Sequence, residues 1–119
     1  MAFGTLKADT LTHSTAGSLT TDYVVNGSAK AWNNTNNTGT TINDSFNIAS
    51  LTDTGTGIQT HNVTNAFDSA NHVPVFSLDN NINQQWTQSL TTTEWQTRVY
   101  TGSVYQDASI RTTSHGDLA

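Results

Sequence analysis

The sequence predicts an all-β protein, an antiparallel β-sandwich preceded by an extended N-terminal arm, and three observations carry that prediction. The first is residues 44–76, which hold two strand-like runs separated by a strong reversal. Ile42, Phe46 and Ile48 fall on one face of an extended chain and Asn43, Ser45 and Asn47 on the other, the period-two alternation of a half-buried strand. Leu51 closes that run. Asp53-Thr54-Gly55-Thr56-Gly57 then offers two glycines able to take positive φ and an aspartate whose side chain can bond the backbone two residues on, so the chain reverses and residues 58–64 return as the partner strand. The second is composition: 23 Thr, 13 Asn and 11 Ser fill 47 of 119 positions, and charged residues make up 11% against a usual figure of about 25%. β-branched threonine favours strands and turns over helices. The third is spacing: strand-like segments recur roughly every eight to twelve residues with turn signals between them, the mark of a sandwich or barrel.

Taken in order, residues 1–28 hold few large apolar side chains, Phe3, Leu6, Leu11, Leu19, Tyr23, Val24 and Val25, at neither helical nor sustained strand spacing. An extended arm is expected, the alternative being a first sandwich strand at residues 6–11. Tyr23-Val24-Val25, Asn26-Gly27 and residues 28–32 read as two short strands about a type I′ turn. The division is therefore an arm with the first hairpin strand at 1–28 and a sandwich domain at 29–119. Residues 33–41, only Asn, Thr and one Gly, are expected as a solvated loop. NAFDSAN, residues 65–71, is the one place where a short helical turn is expected, with Asn65 as cap and Asp68 in the first turn. Residues 73–78 form a strand whose Pro74 calls for an edge or a strand start. Asp79-Asn80-Asn81 turns the chain, and strands follow at 86–90, 95–100 and 105–112, with Trp95, Thr97 and Val99 sharing a face. Gly102-Ser103 and residues 114–117 interrupt or end them.

A chain of 119 residues makes one domain that buries roughly two-thirds of its unfolded surface, and with 34% apolar residues its core is thin. Thin cores are completed by further copies of the chain or by a larger assembly. The net charge is −5, and the four cations, Lys7, Lys30, Arg98 and Arg111, are scattered, so no basic stripe tracks a phosphate backbone and nucleic acid is not an expected partner. Absence of cysteine removes disulfides, thiolate zinc sites and cysteine nucleophiles, and leaves the redox compartment open. No apolar run approaches the ~20 residues of a membrane helix, and residues 1–10 lack the apolar core of a signal peptide. Synthesis in a cytoplasm without export or membrane insertion is expected.

Catalysis needs convergent titratable groups. Asp44, Asp53, Asp68, Asp79 and Asp107 sit at turns or caps, where backbone bonding alone favours aspartate, and no catalytic pair is expected. His13, His61, His72 and His115 are too widely spaced to share one face of a strand or helix, so neither a metal site within one chain nor a cofactor is expected; three copies of one histidine on a threefold axis are the alternative. Asp53-x-Gly55-x-Gly57 lacks the further carboxylates of a calcium loop. Trp86 and Trp95, with Tyr100 and Tyr105, are candidates for an aromatic platform that would hold a glycan, or for core and subunit contacts. Triplets such as Asn26-Gly27-Ser28 and Asn62-Val63-Thr64 follow from so Asn- and Thr-rich a composition and are not read as glycosylation sites.

Four phrases carry a resemblance: GTLKADTLTHSTAGSLTTDYVVNGSAKAW (residues 4–32), DSFNIASLTDTGTG (44–57), VTNAFDSANHV (63–73) and the terminal GDLA (116–119). In these the chain resembles a family of small tailed-bacteriophage virion proteins that also occur as end modules of tail fibres. The resemblance implies a non-enzymatic structural component of a virion, synthesised in the host cytoplasm, with no catalytic residues to carry over. The reading it supports is a multimeric surface appendage, fibre-like and acting in host adsorption. The alternatives are a capsid decoration or cement protein, or a carbohydrate-binding module that recognises host-surface glycans. The sandwich is accordingly expected to be jelly-roll-like or fibre-tip-like. Expected partners are further copies of the chain, as a homotrimer, other virion proteins of capsid or tail, and a host-surface glycan. The chain departs from the family pattern at Gln59, His61 and Val63, where large apolar residues would alternate inward, and at His72, where an aromatic would follow Ala70-Asn71. Either the strand is shifted so that Ile58 faces in, or these groups face a partner subunit or a bonded interior. In the assembly, Phe3, Leu6, Leu11 and Leu19 would dock along a neighbour, at roughly 1.5–3 kcal/mol for each side chain fully buried, before the entropy of ordering is subtracted. Gln59 and His61 would pair across the interface.

Overall fold

The structure, a computed structural model, describes residues 4, 7–36, 38–78, 84–88 and 91–119. Two four-stranded antiparallel sheets pack face to face, as an all-β sandwich requires. The first contains β3 (Ala29–Thr35), β4 (Ile42–Phe46), β7 (Val73–Leu78) and β10 (Ile110–His115), in the order β4-β3-β10-β7. The second contains β5 (Ile48–Gly55), β6 (Ile58–Val63), β8 (Gln84–Gln88) and β9 (Glu94–Tyr100), in the order β5-β6-β9-β8. Ahead of them stand a separate hairpin, β1 (Thr10–His13) with β2 (Gly17–Thr20), and a short helix, α1 (Thr21–Gly27).

That N-terminal module corrects the expectation of an extended arm ending in a hairpin strand. The Asn26-Gly27 pair closes a helix instead of turning a hairpin. Thr21 starts the helix by donating from its hydroxyl to Ala8 O at 2.7 Å and from its amide to Asp9 O at 3.0 Å, and Asp22 places a negative charge in the first turn, where the helix dipole favours it. At the far end Ser28 Oγ and Lys30 Nζ both donate to Val25 O, occupying a carbonyl that would otherwise lack a partner. Nor is the hairpin a sandwich strand, because among the described residues β1 pairs with β2 alone. The module stands off the sandwich: the radius of gyration is 17.0 Å, whereas a compact domain of this length has about 13–14 Å.

The solvated loop expected at 33–41 begins only at Asn36. Asn33 and Thr35 belong to β3 and are buried, because Thr35 Oγ1 accepts from Ile110 N at 2.9 Å while Ser109 Oγ donates to Thr35 O at 3.0 Å. The run expected from Ile42 to Leu51 is also divided. Asn47, at φ 56°, breaks it into β4 in one sheet and β5 in the other, and β5 continues past Leu51 to Gly55. Phe46 thereby faces outward, largely exposed, while Ile48 packs on the core. The β5–β6 turn forms as expected, with Asp53 Oδ1 accepting from Gly55 N at 3.0 Å and Gly57 at φ 68°.

NAFDSAN is not helical. Its amides are taken by distant carbonyls, Phe67 N by Thr92 O and Asp68 N by Asp117 O, both at 2.8 Å, and this pulls Phe67 into the core. Pro74 lies on the edge strand β7, where its missing donor costs nothing. The β8 strand starts at Gln84 and carries Trp86; the turn expected at Asp79-Asn80-Asn81 and the end of that strand at Leu90 lie outside the described residues. The β10 strand starts at Ile110, later than expected, and Tyr105 makes only a single bridge to Tyr100.

Among the described residues two small clusters form the core: Ala31, Val63, Phe67 and Trp95, with Ile48 against them, and Val99, Ala108 and Ile110, with Phe76 and Leu78. Between them the inner faces are polar. Among the described residues no helix is long and apolar enough to cross a membrane.

Candidate functional site

Gln59 and His61 do not reach an interface, which corrects their expected role in assembly. The β6 strand keeps its inward parity, so Gln59, His61 and Val63 are all buried within one chain. Asn33 Nδ2, which can only donate, lies 3.1 Å from His61 Nδ1, and His61 Nε2 lies 2.9 Å from Thr97 Oγ1. His61 is therefore the neutral tautomer protonated on Nε2, accepting from Asn33 and donating to Thr97. Burial lowers its pKa from 6.5 to about 3. Gln59 folds its amide against Gly39, in the space a Cβ there would fill.

His72 repeats the pattern. Its Nε2 donates to Thr91 O at 2.9 Å, so its Nδ1, 2.8 Å from Ser114 Oγ, accepts from that hydroxyl. Burial lowers this pKa as well, and the hydrogen bond that His72 donates to the Thr91 carbonyl opposes the shift. A serine beside an imidazole has the outline of a nucleophile and its base. Here Ser114 is 0% exposed, with no surface from which a substrate would reach its Oγ, so the pair serves packing. His115 Nδ1, 3.2 Å from Gly27 O, ties β10 to the end of α1.

The expected glycan platform of Trp86, Trp95 and Tyr100 divides. Trp95 is 0% exposed, on the central strand β9 and inward with Thr97 and Val99, so it is core. Trp86, on the edge strand β8, faces out beside Tyr100, and Tyr105 completes the group from the following loop. Ring centroids are 6.5 Å apart for Trp86–Tyr100, 6.2 Å for Trp86–Tyr105 and 5.3 Å for Tyr100–Tyr105, with planes inclined by 61°, 52° and 68°. Gly57 holds that loop in place: its amide donates to Asp107 Oδ1 at 2.6 Å and its carbonyl accepts from Val99 N at 2.9 Å.

A second exposed surface covers the outer face of the first sheet. In cross-strand register Phe46, Trp32, Thr113 and Val75 form one row, and Asp44, Asn34, Arg111 and Ser77 the next. Between the rows an open trough of about 470 Å³ runs over Trp32, Val75 and Arg111. This face was hidden in the sequence because Asn33 and Thr35 read as loop; once they point inward, the alternation places Trp32 outside.

Of the arm residues, Phe3 and Leu6 lie outside the described residues. Leu11 and Leu19 are direct cross-strand partners in the β1–β2 hairpin and both are exposed, as are Tyr23, Val24 and Val25 on α1.

All-β sandwich with two exposed aromatic surfaces and a projecting module is the class these features define. No protein-family model, curated protein or solved structure matches the chain.

Proposed function

We propose that this chain is a non-enzymatic structural component of a tailed-bacteriophage virion, a multimeric, fibre-like surface appendage acting in host adsorption, in which one copy's N-terminal module seats on a neighbour. The observation that carries the assembly reading is the module itself. Leu11, Leu19, Tyr23, Val24 and Val25 are all exposed on a hairpin and helix that stand off the sandwich, and since most are about half exposed, covering them would contribute roughly 1 kcal/mol per side chain. The complementary surface is on the same chain: Phe46, Trp32 and Val75, in one cross-strand row, with Val73 two residues along β7, expose an apolar surface on the first sheet. A second copy is the occupant that supplies both halves at equal concentration, and repeating the contact head to tail closes a ring such as a trimer. The four sequence phrases support the virion setting.

Deletion of residues 2–27, with mass measured by sedimentation, tests the assembly. The full chain is expected as a trimer and the truncated chain as a folded monomer. Equal masses would overturn the role of the module. Particle reconstruction tests the setting: density at the tail is expected, and density on the capsid lattice alone would make the chain a decoration protein.

A further inference from the structure

We infer that the open corner formed by Trp86, Tyr100 and Tyr105 beside Arg98 is a saccharide-binding site that takes a pyranoside bearing a carboxylate. It lies on the outer face of the second sheet, apart from the apolar surfaces assigned to assembly. The β8–β9 register sets Trp86 opposite Arg98 and Gln84 opposite Tyr100. Because Trp95, Thr97 and Val99 point inward, Gln96, Arg98 and Tyr100 share the outward face.

Three aromatic rings inclined to one another by 52–68° leave ring faces that no neighbouring ring covers. Trp86 is 36% and Tyr105 37% exposed. Gln84 lies opposite Tyr100, and Gln96 and Arg98 share its strand, so amides and a guanidinium flank the rings, with Ile58, the β6 partner of Arg98, as an aliphatic neighbour. A pyranose ring matches this mixture. Its C–H face is apolar and lies against an aromatic ring, while its hydroxyl edge exchanges hydrogen bonds with amides and phenols.

Arg98 points to the carboxylate. Its Nη2 donates to Gln96 Oε1 at 3.3 Å, while its Nε is buried with no partner, and no carboxylate among the described residues pairs with it. The buried Nε is out of a ligand's reach, so an incoming carboxylate would bond the terminal Nη groups, whose planar fork offers two N–H donors side by side. The chain's net charge of −5 opposes an anion at long range, but at physiological ionic strength charges beyond about 8 Å are screened, so the local guanidinium decides.

The test is titration of the full chain by calorimetry with tetragalacturonate, tetramannuronate and tetraglucuronate, each also as its methyl ester. Binding of at least one acid form is expected, weakened about tenfold in the ester by loss of the charged hydrogen bonds. Arg98→Gln should abolish the preference for the acid over the ester. Trp86→Ala should weaken both forms at least tenfold, and Trp32→Ala neither. Tyr105→Ala, in a loop, is the second variant should Trp86→Ala lose its strand circular dichroism. No binding by any of the six at millimolar concentration overturns the site. Binding that Arg98→Gln leaves unchanged overturns the carboxylate. A change of mass in Trp86→Ala overturns it in favour of a contact between copies, whereas deletion of residues 2–27 should leave binding intact.

Discussion

His61 and Trp95 lie face to face in the middle of the sandwich, ring centroids 5.2 Å apart and planes 16° from parallel. Phe67 and His72 stack more closely, at 4.1 Å and 7°, and His72 meets Trp95 edge-on at 5.9 Å. A chain short of large aliphatic residues thus fills its centre with flat rings, two of them imidazoles whose nitrogens are all bonded. Trp95→Ala should cost about 3–5 kcal/mol, as truncation of a buried tryptophan does. Trp86→Ala, at the exposed edge, should stay within about 1 kcal/mol. Urea denaturation of the two variants checks the difference, and equal losses would contradict the assignment of Trp95 to the core.

Acid should destabilise the fold through its buried imidazoles. His61 protonates near pH 6.5 when unfolded and only near pH 3 when native, so between those values the unfolded state binds a proton that the native state refuses. Stability therefore falls as pH drops from about 6.5 toward 3, with a slope of up to about 1.4 kcal/mol per pH unit for one such histidine. His72, shifted in the same direction, steepens the fall. Denaturation midpoints measured from pH 7 to pH 4 should decline, and His61→Gln should flatten the decline; an unchanged midpoint over that range would contradict the neutral core.

Gly57 and Gly102 differ in what surrounds them, although both adopt positive φ. A Cβ at Gly57 would lie 2.7 Å from the backbone atoms Gln106 N and Val99 O, whereas one at Gly102 would meet nothing within 4 Å. Gly102→Ala should therefore lose only the strain of the left-handed conformation, about 1 kcal/mol. Gly57→Ala adds displacement of backbone and should lose more, about 3 kcal/mol, while also shifting the loop that carries Tyr105. Thermal melts and tyrosine ring resonances of the two variants check this.

Asn47 makes the corner between the sheets with its backbone and its side chain together. Its Nδ2 donates to Lys30 O at 3.0 Å and Asn65 O at 3.1 Å, and its Oδ1 accepts from Asn65 N at 2.8 Å. Asn47→Gly should keep the φ of 56° and lose the bonds, at about 1–2 kcal/mol; Asn47→Ala should lose both, at about 2–3 kcal/mol. The order wild type, Gly, Ala in chemical denaturation is the expected result, and Ala as stable as Gly would show that φ is not what asparagine provides.

What the sequence determined by itself is the chemistry that closes over short distances. The turn at Asp53 is legible because its hydrogen bond spans two residues, and the inward face of Trp95, Thr97 and Val99 because alternation is a property of one strand. Pro74 marks an edge because its missing donor is local. The burial of Asn33, His61 and His72 was settled only in three dimensions, since each is polar and its partners lie 28, 36 and 42 residues away; no local pattern separates a bonded polar interior from a solvated loop. Asn26-Gly27 ends a helix and not a hairpin because the bonds that start that helix come from Ala8 and Asp9. Trp86 and Trp95 are the same residue on neighbouring strands. One became surface and the other core because register sets Trp86 beside the outward Arg98 and Trp95 beside the inward His61, and register between strands distant in sequence is set by the packing of the whole chain.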